Sequence, residues 1–262
     1  MYGVDSNKSG GRKPTSEAVE AISKTNSETS FEKREATFEK YRMELQYHFR
    51  NSSNRISLMC KSFFLDPQHM DNHFSWISNC SSLTDAVKEN LEVQIGFLEK
   101  YLKYKDQTIE FIEKLASVDN TCEVEYDGSK LYKYISILRM GADFIDSNGA
   151  CMIRLDTDGQ SSTAEPHILA IKVDKTFVFE VHVEGDKLIG NLDLASAVAY
   201  VLHLAFVMNI HYPKECQTMW DIMQRKVARY GDSSGTRTNT GRAAATAKYE
   251  KYLNDLGRAL TQ

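Results

Sequence analysis

Four side chains able to ligate zinc, Cys60, His69, His73 and Cys80, fall close together in the chain. His69 and His73, four residues apart, would share one helical face and could hold a single ion. Their spacing, C-x8-H-x3-H-x6-C, lacks the short Cys pair that pre-forms most structural zinc sites, so an ordinary small core around Pro67 and Trp76 is the preferred reading. His182-Val-Glu184 followed by Pro213-Lys-Glu-Cys216 approaches the zinc-deaminase pattern, but Met219 stands where a second cysteine ligand is required. Asp143, Asp146, Asp156 and Asp158 are carboxylates that could converge on a divalent metal for phosphodiester chemistry. Aspartate is also a common turn former, and the loop from Asp156-Thr-Asp158-Gly159 has neither glycine at the sixth position nor glutamate at the twelfth, as a calcium loop requires. There is no P-loop, GxGxxG or GxSxG motif. The expected catalytic residues, metal and cofactor are therefore none.

Basic and aromatic residues interleave near the C-terminus. Arg225, Lys226, Arg229, Arg237, Arg242, Lys248 and Lys251 stand against Asp232 and Glu250, with Tyr230, Tyr249 and Tyr252 between them. Cations that meet phosphates and rings that stack on bases are the two components of single-strand recognition. The chain as a whole does not share this charge: Lys+Arg total 32 against 36 Asp+Glu, a net charge of −4. Gly231 to Gly241 holds no apolar residue and reads as a flexible linker. Truncation after Tyr230 is then expected to abolish nucleic-acid binding and leave the melting temperature nearly unchanged. A second, thinner basic cluster, Lys8, Arg12 and Lys13, gives a weak nuclear-localisation signal.

The elements that would position these groups are legible from periodicity. Residues 1–30 are polar and read as a disordered arm. Phe31, Phe38, Tyr41, Leu45 and Phe49 fall on one helical face. A shorter helix runs from Ile56 to Leu65, ended by Asp66-Pro67. The longest helix is predicted over Ser82 to Val118, with Ser82 and Asp85 as a capping pair and Glu99–Lys103 and Glu110–Lys114 in the favourable order. Its stripe of Leu91, Leu98, Leu102, Ile109 and Ile112 needs a partner, either the Phe31 helix folding back as a hairpin or a second copy of the chain.

After Asn120 the pattern alternates. Cys122, Val124 and Tyr126 read as strand, Leu131 to Leu138 is ambiguous, and Met152–Leu155 reads as strand. Residues 168–173 and 176–183 form a hairpin across Asp174-Lys175, with a short strand near Leu188-Ile189. Helices follow at 194–210 and 214–230, and a loosely attached one at 243–260. Residues 194–213 carry no formal charge, and a single membrane span over them is a lesser alternative. His203, Asn209 and His211 are costly in lipid, so a buried helix and no membrane contact are expected. Five scattered cysteines without a CxxC pair, and an N-terminus without an apolar leader, indicate an intracellular protein of the nucleus or cytoplasm.

Pro166-His-Ile-Leu-Ala, Phe177-Val-Phe-Glu-Val, the apolar helix, Asn209-Ile-His-Tyr-Pro-Lys214 and Trp220-Asp-Ile-Met-Gln224 occur in this order. Over residues 166–232 the chain resembles the C-terminal domain of uncharacterised, often transposon-associated animal proteins found beside sterile-alpha-motif domains. The resemblance implies a soluble compact module and assigns no catalytic residue.

The expected fold is thus α+β. A long N-terminal helical hairpin precedes a small antiparallel sheet packed by two C-terminal helices. The expected domains are 1–30, a disordered arm; 31–118, helical; 121–232, α+β; and 233–262, a flexible basic tail with a short helix. The expected function is a non-enzymatic interaction protein, self-associating through the long helix, mobile-element-derived, and nucleic-acid-associated through its basic arm. A metal-dependent enzyme acting on nucleic acid is the alternative.

Overall fold

The structure, a computed structural model, describes residues 11–51, 58–105, 127–146, 148–156, 165–174, 176–183, 185–208, 210–230 and 242–261. Contacts divide the chain into two compact units, one of Met1–Asp85 with Ala199–Ile210 and one of Ala86–Val198 with His211–Gln262. Among the described residues the architecture is a mostly helical α+β one with a four-stranded mixed sheet.

In the first unit, several helices stand where one hairpin arm is predicted. Helix α1 (Ser16–Lys24) lies inside the expected disordered arm. Thr15 Oγ1 caps it by accepting from the Ala18 amide, and it buries Ala18 and Ile22, two apolar side chains one turn apart. The Phe31 stripe is divided into α2 (Phe31–Lys40) and α3 (Arg42–Asn51) by Tyr41, at φ −111°, ψ 27°. Its face survives the break, since Phe38, Tyr41, Leu45 and Phe49 are all buried. A 3₁₀ turn, Leu58–Phe63, replaces the second predicted helix. Asp66-Pro67 does not end a helix but begins α4 (Pro67–Ser78). The Asp66 carboxylate accepts from the Gln68 amide, and proline at the first turn has no N–H to leave unpaired. Phe38, Phe49, Phe63 and Phe64 pack against one another edge-on or tilted, Phe38 meets His69 and Phe49 and Phe63 meet His73 edge-on, and Phe63 stacks on His69, to form the core.

Helix α5 (Leu83–Lys105) is capped as predicted by Ser82 Oγ, which accepts from the Asp85 amide. Residues 106–126, including Ile109, Ile112 and the Cys122–Tyr126 alternation, lie outside the described residues. The helix partner of α5 is not the Phe31 helix but α6 (Asp127–Asp146), which takes up the ambiguous Leu131–Leu138 stretch. Gly141 makes the close approach, because a Cβ there would lie 2.6 Å from Leu98 Cδ2. Lys130–Glu92 (2.6 Å) and Lys133–Glu99 (3.6 Å) flank the contact, and Tyr101 meets Phe144 edge-on at 6.1 Å.

Strands β1 (Ile153–Leu155), β2 (His167–Val173), β3 (Thr176–Val183) and β4 (Asp186–Leu192) follow in spatial order β1-β2-β3-β4. The predicted β2–β3 hairpin forms, in a register from His167 opposite His182 to Val173 opposite Thr176, closed through Asp174 at φ 51°. β4 adds antiparallel. The sheet is nevertheless mixed, because β1 pairs parallel to β2. Ile153, Ile168, Ala170, Phe179, Val181 and Ile189 are buried, and Tyr132 of α6 stacks on Phe177.

Helix α7 (Leu194–Val207) is 14 residues long, about 21 Å, too short for a 30 Å hydrocarbon core. No described helix is long and apolar enough to cross a membrane. The predicted 214–230 helix is a 3₁₀ turn (Lys214–Cys216), a short α8 (Gln217–Ile222) and a π-turn (Met223–Val227). Helix α9 (Arg242–Thr261) is far from loose: Tyr249, Tyr252 and Leu256 are buried. The Tyr252 hydroxyl accepts from Gln94 Nε2 at 2.7 Å, and Lys105 pairs with Asp255 at 2.7 Å.

Candidate functional site

The basic C-terminal residues are only partly gathered. Arg225 and Lys226, on the π-turn, both lie over the Tyr249 ring of α9, at 4.6 and 5.8 Å from its centroid. Arg225 Nε also donates to the fully buried Asp221 carboxylate at 3.1 Å, so its charge is engaged. A π-turn offsets the side chains that follow it, and such turns recur at functional sites. Its end is fixed by Gln224, whose backbone carbonyl accepts from the Tyr230 amide (3.1 Å) and whose side-chain amide donates to the Tyr230 carbonyl (3.3 Å). Between them Arg229 is exposed with φ 53°, a left-handed conformation uncommon outside glycine.

On α9, Lys248 donates to Asp146 Oδ1 at 3.2 Å and to the Ile145 carbonyl at 3.3 Å. Lys251 is exposed, but at 100° per residue it lies about 200° round the helix from Tyr249, away from the Arg225–Lys226 side. Tyr249 and Tyr252 are spent on packing and are not open stacking platforms. Arg237, the side chain of Arg242 and the 231–241 linker lie outside the described residues.

The described part of the predicted oligomer stripe faces inward. Leu91, Leu98 and Leu102 are 5%, 0% and 0% exposed within the single chain, and Leu98 lies against Gly141 of α6. Val93, at 57%, is an apolar side chain that α5 does present.

Of the zinc-capable side chains, those of His69, His73 and Cys80 are described, and they do not come together. His69 Nε2 accepts from Arg34 Nε at 3.3 Å, so its Nδ1–H donates to Glu35 at 2.6 Å, and its ring stacks on Phe31 at 4.4 Å. Burial works against the Glu35 charge, but the His69 contact, Asn72 and Arg42 outweigh it and hold that carboxyl below its ordinary range. His73 is buried with Nε2 at 3.0 Å from Gln46 Oε1, and Cys80 is half-buried. The Cys60 side chain lies outside the described residues. Among the described residues, no group of three His, Cys, Asp or Glu side chains is placed to hold a metal ion.

Of the four candidate carboxylates, Asp143 and Asp146 serve the fold. Asp143 accepts from the Gly149 amide, and buried Asp146 accepts from the Met219 amide at 2.8 Å, capping α8 from outside the helix. Asp156 is exposed and Asp158 lies outside the described residues.

Sequence reasoning passed over a buried polar set in the first unit. Asp71 Oδ1 accepts from the Leu83 and Thr84 amides at 3.0 and 3.2 Å and faces His203 Nε2 at 2.9 Å. Gln46 Nε2 donates to the Val207 carbonyl (3.3 Å) and Arg50 Nη2 to the Phe206 carbonyl (3.1 Å), closing the C-terminal end of α7. The one available signal was His203, a costly polar residue inside an apolar run. Comparison of the chain with protein-family models, with curated proteins and with solved structures returns no match.

Proposed function

We propose that the chain is an intracellular, non-enzymatic interaction protein that meets a polyanion, nucleic acid, at the junction of the π-turn with α9. The observation that carries this reading is the placement of Arg225 and Lys226 over one tyrosine ring, with the exposed, left-handed Arg229 closing the same turn. A guanidinium held rigid by Asp221 and Tyr249 loses little freedom when a neighbour binds phosphate, and Lys226 and Arg229 supply the charge. Of the residues that suggested metal chemistry, His69 and His73 lie in the core and Asp143 and Asp146 accept from backbone amides, which favours this reading over a metal-dependent nuclease. Derivation from a mobile element fits such a role and rests on the resemblance over 166–232.

Self-association belongs to the same proposal, but through a surface other than Leu91, Leu98 and Leu102. Anisotropy of a labelled single-stranded oligonucleotide at low salt tests the polyanion reading. Binding weakened at least ~10-fold in Lys226→Glu/Arg229→Glu is the expected result. No binding by the full chain, or equal binding by the variant, overturns it.

A further inference from the structure

Ahead of α1, residues 11–15 are non-helical, and Gly11 and Arg12 lie against α3. Gly11, at φ +70°, comes so close that a Cβ would sit 2.2 Å from the Tyr47 nitrogen and 2.3 Å from the Met43 oxygen. The Arg12 amide donates to that Met43 carbonyl at 2.8 Å. The Arg12 guanidinium pairs through Nε (2.9 Å) and Nη2 with Glu44 Oε1. The two ends of this pair are unlike: the Arg12 side chain is 67% exposed and that of Glu44 2%. Among the described residues, Glu44 Oε2 has no hydrogen-bond partner. Arg12 thus reaches in from solvent to compensate a buried carboxylate, and its departure would leave that charge uncompensated.

Three residues further on, Thr15 is exposed, with extended backbone at φ −81°, ψ 163°. Arg12-Lys13-Pro14 precedes it, and Arg12 and Lys13 are both exposed. Kinases choose substrates partly by charge pattern. An accessible hydroxyl on extended chain, with arginine three places and lysine two places before it, suits an enzyme whose substrate groove is acidic. We infer that Thr15 is a phosphorylation site for an arginine-directed protein kinase, and that its phosphate releases the Gly11–Arg12 strap from α3.

In the transfer, Thr15 Oγ attacks the γ-phosphorus of ATP and the bond to the β,γ-bridging oxygen breaks. ADP leaves, and the hydroxyl proton passes to the kinase's base. The product places close to two negative charges at Thr15. Arg12 and Thr15 are at most about 10 Å apart along the chain, so the guanidinium can turn back to the phosphate as a two-pronged partner. Thr15 Oγ1 now accepts from the Ala18 amide at 3.2 Å, and a phosphate oxygen remains an acceptor there. Helix α1 is therefore retained while the strap loses the ion pair that holds it.

The test uses the full chain, a purified arginine-directed Ser/Thr kinase and Mg-ATP, with the phosphate mapped by peptide mass spectrometry. Phosphate is expected on Thr15, absent in Thr15→Val, incorporated at least ~10-fold more slowly in Arg12→Ala, and unaffected in Ser16→Ala. Hydrogen exchange then reads the strap: the Arg12 amide should exchange at least ~10-fold faster in the phosphorylated chain, as it should in unphosphorylated Glu44→Gln. Absence of phosphate, or phosphate on Ser16 in place of Thr15, overturns the site. Unchanged protection of the Arg12 amide in stoichiometrically phosphorylated protein overturns the release.

Discussion

His203 Nε2 lies 2.9 Å from Asp71 Oδ1, and both side chains are buried. The same carboxylate oxygen accepts from two amides at the start of α5, so one aspartate joins a helix cap to a core histidine. Burial would raise its pKa, but the His203 hydrogen bond and charge, the Ser82 hydroxyl and the Thr84 amide together lower it to about 2. Asp71→Ala removes the cap and strands His203, and should cost about 3 kcal/mol in urea unfolding. In the cycle with His203→Ala the two costs should fall short of additivity by about 1 kcal/mol or more. Strict additivity would show that the pair is not coupled. Because this folded-state pKa is depressed below 3.8, the Asp71 contribution is present above about pH 4 and is lost as pH falls towards 2.

His73 gives a separate acid response. Burial first, then the positive charges of Arg42 and Arg50, push its pKa down from 6.5 to about 3. Between those values the unfolded chain holds one more proton at this site than the folded chain, so stability rises with pH across the window. Stability should therefore fall by about 1 kcal/mol per pH unit on acidification from pH 6 to pH 5. In His73→Leu, whatever its stability at pH 7, that slope should flatten. An unchanged slope would place the sensitivity elsewhere.

The approach of α6 to α5 depends on a missing side chain. Alanine is the better helix former by about 1 kcal/mol, yet Gly141→Ala should destabilise by about 1–3 kcal/mol, because its Cβ meets fully buried Leu98. In a Leu98→Ala background the same change should become neutral or stabilising. Thermal melts of the four proteins decide this.

Local chemistry in the sequence was legible where it acts locally. The Ser82 cap, the β2–β3 hairpin and the inward stripe of Phe38, Tyr41, Leu45 and Phe49 follow from spacing alone. What spacing could not supply was the partner. Leu91, Leu98 and Leu102 announce an apolar face, but only tertiary contact shows that they are buried within one chain, with Leu98 against Gly141 of α6. Asp66-Pro67 was ambiguous for a related reason, since a residue that can stop one helix can cap the next. Of the basic cluster, Arg225, Lys226 and Arg229 are juxtaposed by a π-turn that periodicity does not encode, and Lys248 is withdrawn by an aspartate a hundred residues away in sequence.

The same tertiary burial reverses an expectation for the C-terminus. Removing residues after Tyr230 deletes the buried Tyr249, Tyr252 and Leu256, each worth about 1.5–3 kcal/mol. The melting temperature should drop by ~10 °C or more. Tyr252→Phe isolates one element of this loss. It leaves the buried Gln94 amide without its acceptor and should cost about 1–2 kcal/mol. Gln94→Leu in the same chain should recover most of that cost, and failure to recover it would mean the hydrogen bond is not what Tyr252 contributes.

Truncation is therefore a poor probe of nucleic-acid binding, and salt dependence is a better one. Arg225, Lys248 and Arg258 are engaged with Asp221, Asp146 and Asp255, which leaves them little net charge to offer a polyanion. Lys226 and Arg229 are the described cations on the π-turn side that remain to meet phosphates, and Lys251 projects from the other side of α9. With two such contacts on single-stranded DNA the log–log slope of affinity against salt should be near −1.4, far shallower than the full basic stretch would give. Lys226→Ala should bring it about 0.7 closer to zero, while Lys251→Ala leaves it unchanged. A slope that responds to Lys251 but not to Lys226 would move the contact off the π-turn altogether.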